Sequence, residues 1–134
     1  MNMRILNFEL HGDKRGSLIS LEENKNIPFE IKRVYYIFNT KEDVQRGFHA
    51  HKQLQQILIC LNGSCKIKLD NGVQKRNITL DNPKRGLYIG NMIWREMYNF
   101  SDDCVLMVLA NNFYVEEDYI REYSDFIKMK KNNV

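Results

Sequence analysis

The chain has 134 residues, 43% of them hydrophobic and 28% charged, which is enough for one domain with a proper core and too little for two. Its net charge is only +3, from 20 basic and 17 acidic side chains, so nothing in its charge balance calls for a nucleic-acid partner. The apolar runs at 57–61 and 105–110 are too short to cross a bilayer, and residues 1–8 lack the apolar segment of a secretory leader, so a cytoplasmic chain with no membrane partner is expected.

Residues 4–10 and 17–22 read as short strands around the loop His11-Gly12-Asp13-Lys14-Arg15-Gly16, whose two glycines mark a turn. A polar stretch at 23–26 leads past Pro28 into residues 29–38, rich in Ile, Val, Tyr and Phe, which predicts a long strand. Alternation puts Ile31, Arg33, Tyr35 and Ile37 on one face of it and Lys32, Val34, Tyr36 and Phe38 on the other.

After a polar loop over 39–45 comes RGFHAHKQLQQILICLNG, residues 46–63, the stretch around which the chain is organised. On a strand His49 and His51 point the same way, with the small Ala50 behind them, and Gln56 brings an amide near the same cavity. The buried run Ile57-Leu58-Ile59-Cys60-Leu61 ends at the turn pair Asn62-Gly63.

Residues 64–69 alternate Cys65, Ile67 and Leu69 against Lys66 and Lys68, the pattern of a half-buried antiparallel strand. Asp70-Asn71-Gly72 is the next turn, followed by strands over 73–80, 87–89 and 93–100, and by 104–110, apolar throughout and expected to be covered on both faces. The tail changes period. Tyr119, Ile120, Tyr123, Phe126 and Ile127 share one side of a 3.6-residue repeat after the acidic turn Glu116-Glu117-Asp118, which predicts a C-terminal helix whose end carries Lys128, Lys130 and Lys131.

Many short strands at about ten-residue spacing argue for an all-β sandwich or barrel in a single domain over 1–134. The three cysteines, Cys60, Cys65 and Cys104, form no CxxC pair and read as reduced core thiols.

The histidine pair admits two chemistries. Imidazoles on one strand face can start a metal site, but a stable site wants a third and a fourth ligand. The spacing Gly47, His49, His51, Gln56, Gly63 resembles the first motif of the cupin superfamily, with an amide where the acid should stand. In the stretch matching the second motif, Arg95 occupies the histidine position. Ligand count therefore favours no metal and no cofactor, and proton transfer by imidazole on an anionic substrate, with Arg33, Arg46 and Arg15 as candidate phosphate clamps.

The same run, continued as RGFHAHKQLQQILICLNGSCKIKLDNG, together with EENKNIPFEIKRVYYIFNT, GLYIGNMIWREM and DYIREY, resembles the nucleotide-sugar 3,4-ketoisomerases, small cupins acting on dTDP-4-keto-6-deoxyglucose. The resemblance covers nearly the whole chain. It implies a cupin-like antiparallel β-barrel or jelly roll with a C-terminal helix. It also implies a metal-independent tautomerisation, in which the C3 proton is removed, an enediol(ate) forms and C4 is reprotonated. The product would go to an aminotransferase making a 3-amino-3,6-dideoxyhexose for surface glycans such as lipopolysaccharide.

Carried onto this chain, the resemblance makes His51 the base at C3 and His49 its partner in moving the proton. It places Arg33, Tyr35 and Arg46 in the phosphate and sugar pocket; Gln56 and Arg15 are candidate substrate contacts on the residues themselves, and Arg95, a departure where many relatives carry histidine, is expected to hold charge. It implies a homodimer with exchanged N-terminal strands, and Lys14-Arg15-Gly16 is similar to members that leave the galacto configuration at C4. Two other readings remain open on the residues alone: a 3,5-epimerase on the same dTDP-sugar, and a non-catalytic cupin that binds a sugar.

Overall fold

The computed structural model describes residues 1–132. Its strands are β1 (Met3–Asn7), β2 (His11–Asp13), β3 (Gly16–Leu18), β4 (Arg33–Ile37), β5 (Arg46–His51) and β6 (Gln56–Asn62). They continue with β7 (Cys65–Asp70), β8 (Lys75–Leu80), β9 (Arg85–Ile89), β10 (Trp94–Tyr98), β11 (Val105–Ala110) and β12 (Tyr119–Ile120), and the helix α1 (Tyr123–Asn132) closes the described chain. One antiparallel sheet has the order β1-β9-β6-β11-β4, a second the order β12-β5-β10-β7-β8, and β2 and β3 form a separate hairpin. The two five-stranded sheets face each other as the jelly roll expected from the sequence.

The core between the sheets contains Leu58 and Cys60 of β6, Leu87 and Ile89 of β9, Leu106 and Val108 of β11, and Ile67, Leu69 and Met97 from the other sheet. Each fully buried Leu or Ile there is worth roughly 1.5–3 kcal/mol relative to exposure. The unbroken apolar run of β6 follows from cover on both faces. Leu58 and Cys60 point inward, while Ile57 and Ile59 point outward under Ile27 and Phe29. β11 is covered in the same way, through Leu106 and Val108 inside and Leu109 outside. In β7, Cys65, Ile67 and Leu69 are buried while Lys66 is exposed, as the alternation predicts.

Several boundaries differ from the sequence reading. The strand expected over 29–38 covers only Arg33–Ile37, because Phe29 is drawn out of the sheet to pack with Ile57 and Tyr88. Its alternation survives, with Val34, Tyr36 and Phe38 exposed and Arg33, Tyr35 and Ile37 turned inward. The loop expected over 11–16 joins the start of the strand expected over 17–22 to form a hairpin over 11–18.

The largest correction concerns the tail. The acidic run Glu116–Asp118 is a 3-10 turn, Tyr119 and Ile120 pair as a strand with His51 and Ala50, and the helix begins only at Tyr123. The Asp118 carboxylate accepts the backbone N–H groups of Gln53 and Leu54 at 2.8 and 3.3 Å, holding the chain extended where an amphipathic helix was expected. Ile120 and Phe126 still bury together with Ala50 and Trp94, so the apolar positions were informative although their period was not. No helix among the described residues is long and apolar enough to cross a membrane.

Candidate active site

β5 carries both histidines, and its geometry is set by a bulge. Across it, Arg95 and Glu96 of β10 align with His49 and Gly47, leaving Phe48 as the extra residue. Gly47 has φ +90° and Phe48 φ +59°. A Cβ on Gly47 would lie 3.0 Å from the Arg95 carbonyl oxygen, so only glycine allows the two backbones this approach. Bulges of this kind tighten the local twist and re-aim side chains beside functional sites.

Beyond the bulge the imidazoles of His49 and His51 meet edge to face, with centroids 4.9 Å apart. The Tyr119 ring packs against both, at 5.0 and 4.4 Å, and the Arg121 guanidinium covers Tyr119 at 4.3 Å.

His51 is fully buried, and its Nδ1 lies 3.1 Å from the Asp118 carboxylate, while Nε2 has no hydrogen-bond partner among the described residues. Asp118, itself oriented by the two backbone donors, can accept only from Nδ1–H. The tautomer is thereby fixed, and the Nε2 lone pair is left for a ligand. His51 lines a cavity of about 270 Å³ together with Arg33, Leu54, Asn111, Asp118 and Tyr119.

Arg33 shares that cavity, its guanidinium 5.2 Å from the Tyr35 ring and 5.7 Å from the Tyr114 ring. Its Nε and Nη2 are buried without a hydrogen-bond partner among the described residues. An unpaired buried guanidinium is costly, and an anionic ligand would relieve that cost.

A second buried cation lies beneath the histidines. Arg95, 0% exposed, donates from Nη1 to Gln56 Oε1 at 2.5 Å and from Nη2 to the Ile93 carbonyl at 3.0 Å. The Gln56 amide nitrogen in turn donates to the Tyr35 hydroxyl at 3.2 Å. Burial lowers Arg95 to about 10, which leaves it charged at neutral pH.

Burial first, and then Arg95, depress both histidines, His49 to about 4 and His51 to about 2. Both are therefore neutral bases at physiological pH. A sign follows for stability. From an ordinary value of 6.5 down to these depressed values the unfolded chain binds more protons than the folded one, so stability is present above pH 6.5 and is lost as pH falls toward 4. Thermal unfolding followed between pH 7.5 and 4.5 is expected to show that decline, and Arg95→Met is expected to flatten it by removing the cation facing both rings.

Of the residues singled out in the sequence, His49, His51, Arg33, Tyr35, Gln56 and Arg95 come together. Two do not. Arg15 sits at the exposed tip of the β2–β3 hairpin, ion-paired with Asp13. Arg46 is exposed and lines a separate depression with Ile37, Phe38 and Phe100. Sequence reasoning missed Asp118 and Tyr119 because it spent them on a helix. The acidic run was visible, but nothing local in it signals that one carboxylate folds back across 67 residues onto His51.

Comparisons with known proteins identify the family. The family model FdtA (WxcM-like, C-terminal) matches residues 1–131. The chain is 59% identical over 128 residues, 96% of its length and 92% of the relative's, to the TDP-4-oxo-6-deoxy-alpha-D-glucose-3,4-oxoisomerase of Aneurinibacillus thermoaerophilus. Among solved structures it is similar to a 3,4-ketoisomerase from Helicobacter canadensis, at a TM-score of 0.96 and 53% identity over 98% of both chains. It is equally similar in shape to QdtA, a sugar 3,4-ketoisomerase from Thermoanaerobacterium thermosaccharolyticum solved with TDP. There the TM-score is 0.96 and the identity 48%, over 98% of this chain and 96% of the other. An RmlC 3,5-epimerase from Legionella pneumophila shares the fold alone, at 18% identity and a TM-score of 0.75 over 88% of this chain and 71% of that one.

Proposed function

The chain belongs to the FdtA family (WxcM-like, C-terminal), and from that membership we infer a 3,4-ketoisomerase that moves the keto group of a TDP-linked 4-keto-6-deoxyglucose from C4 to C3. The observation that carries the mechanism is His51, with Nδ1 held by Asp118 and Nε2 free in a cavity that also presents the unpaired Arg33.

In this reading Nε2 of His51 takes the C3 proton. The electron pair of the C3–H bond becomes the C3–C4 double bond, and the former C4 carbonyl oxygen carries the enediolate charge. The C4 oxygen takes up the proton that the C3 hydroxyl gives up, and the proton held by the imidazolium returns to C4 as C3 becomes the ketone. His49, edge-on to His51, passes protons between the two positions. Asp118 stabilises the imidazolium while it exists, and Arg33 faces the anionic diphosphate or the enediolate. Tyr35 and Gln56 hold the pocket wall, and Arg95 supplies fixed positive charge from below.

The test is NMR of the protein with TDP-4-keto-6-deoxyglucose in deuterated buffer, with and without a chelator. Deuterium at C3 and at the product's C4, unaffected by chelator, supports the reading. Exchange at C5 as well would indicate a 3,5-epimerase, and binding without exchange would leave a sugar-binding cupin. The product's coupling constants read the configuration at C4, for which the motif Lys14-Arg15-Gly16 leads us to propose galacto, feeding an aminotransferase and 3-amino-3,6-dideoxyhexose synthesis in the cytoplasm.

A homodimer with exchanged N-terminal strands is part of the proposal. β1 pairs with β9 of its own chain here, and an exchange would make the same pairing between copies. Support comes from apolar side chains left exposed, Leu18 on the hairpin and Val34, Tyr36 and Phe38 at β4, the opposite edge of that sheet from β1. Arg15 would meet substrate only across such an interface, and Arg46 would sit at its rim. Sedimentation at two concentrations checks the stoichiometry.

Arg33→Met is expected to raise KM by roughly 10- to 100-fold, the loss of about 1.5–3 kcal/mol in a hydrogen bond to a charged group, with a smaller change in kcat. Because two of the guanidinium nitrogens are buried with no hydrogen-bond partner among the described residues, the variant relieves a desolvation cost and its melting temperature is expected to hold or rise. Steady-state kinetics beside a thermal melt checks both halves.

A further inference from the structure

The thiols of Cys60, Cys65 and Cys104 form the one cluster of three or more metal-ligating side chains among the described residues, and the ketoisomerase chemistry makes no use of it. Cys60 lies on β6, Cys65 opens β7, and Cys104 immediately precedes β11, so the three come from both sheets. Each is 1% exposed. Their sulfurs lie within 4.8 Å of one another, and those of Cys60 and Cys104 are 3.8 Å apart. Gln56, Leu58 and Cys60 share the inner face of β6, and four residues of strand place Cys60 about 13 Å beyond Gln56, away from the histidines.

We propose that these three thiols form a binding site for a monovalent soft cation, cuprous ion, which ties the two sheets together at the end of the barrel remote from the histidines. A metal–sulfur distance of about 2.3 Å in a trigonal plane sets the sulfurs about 4 Å apart. The observed spacing meets that with small adjustments, whereas a disulfide needs about 2.05 Å and would leave the third thiol over.

Donor chemistry selects the ion. All three donors are soft, and no imidazole or carboxylate joins them within the same distance among the described residues. Structural zinc sites want a fourth ligand, while thiolates alone suit cuprous ion. Binding displaces the thiol protons, one released to solvent for each thiol that ionises. The Gly63 turn packs closely against Ser101, Asp103 and the backbone of Cys104.

The experiment is anaerobic titration of the purified chain with cuprous ion against a chromogenic cuprous chelator. The expected result is one ion retained per chain, a thiolate-to-copper charge-transfer band and a raised melting temperature, with ketoisomerase turnover unchanged. Cys60→Ser, Cys65→Ser and Cys104→Ser are each expected to lower affinity by at least about tenfold and to lose the band. Their circular dichroism and melting curves show independently that they fold. No ion retained by the parent chain would overturn the proposal, as would retention undiminished in all three serine variants, or zinc held in preference to copper under the same competition.

Discussion

His51→Asn is expected to lower turnover by roughly 10²- to 10⁴-fold, the range of a lost general base, while TDP affinity and the far-ultraviolet spectrum stay near those of the parent. Asparagine keeps a planar donor in range of Asp118 but has no basic nitrogen to place where Nε2 now stands in the cavity. His49→Asn tests the division of labour between the two rings. If His51 takes the C3 proton and His49 passes protons onward, the His49 variant still washes deuterium into C3 of the substrate but forms product slowly, and the His51 variant does neither. The reverse pattern, with C3 exchange lost only in His49→Asn, would transfer the base to His49, whose ring is the less buried of the two. Single-turnover NMR in deuterated buffer separates these outcomes, because exchange and product formation are read at different carbons.

The pH profile adds a second reading of the same ring. With burial and the guanidinium of Arg95 holding His51 well below its ordinary range, the acid limb of kcat/KM in the free enzyme is expected to lie below pH 6.5. Arg95→Met should move that limb upward. The variant also leaves the Gln56 oxygen and the Ile93 carbonyl without their donor, a cost of about 1–3 kcal/mol for each group left unsatisfied. The pH shift is the diagnostic part, since a purely structural role for Arg95 would lower stability without moving the limb.

Strand alternation made the inward set legible from the sequence. His49 and His51 on one strand, Arg33 and Tyr35 on another, and Gln56 at the head of a buried run share the inner side by a two-residue period, and the folded chain joins them by contact, with His51 and Arg33 lining the cavity itself. Alternation says nothing about contacts that depend on where a chain turns back. Asp118 and Tyr119 reach the histidines because β12 adds to the edge of β5, a pairing remote in sequence that competes with a locally reasonable helix. The helical period was half true, because Ile120 and Phe126 bury in the same cluster from two different elements. Arg46 shows the converse failure. It stands before a bulge that a residue count does not reveal, so a motif that is contiguous in sequence is divided between the cavity and the surface.

Asp118→Asn is expected to reduce turnover nearly as far as loss of the base, although Asp118 makes no bond to substrate in this mechanism. With its oxygen at the Oδ1 position the asparagine still accepts from the backbone of Gln53, at the cost of the longer bond from Leu54, and its NH₂ group stands toward His51 Nδ1. Nδ1 must then accept, so the proton moves to Nε2 and the nitrogen facing the cavity ceases to be a base. The imidazolium formed on proton abstraction also loses its counter-charge, so the barrier rises twice from one atom's change. A loss on the order of 10²- to 10⁴-fold in kcat is the expected size for a neutral histidine held in the wrong tautomer. Nitrogen chemical shifts of His51 report the tautomer directly, and they separate this account from simple misfolding. An Asp118→Asn chain that melts like the parent, carries its proton on Nε2 and still turns over at the parental rate would remove His51 as the base and leave Asp118 as a clamp on the 52–54 turn alone.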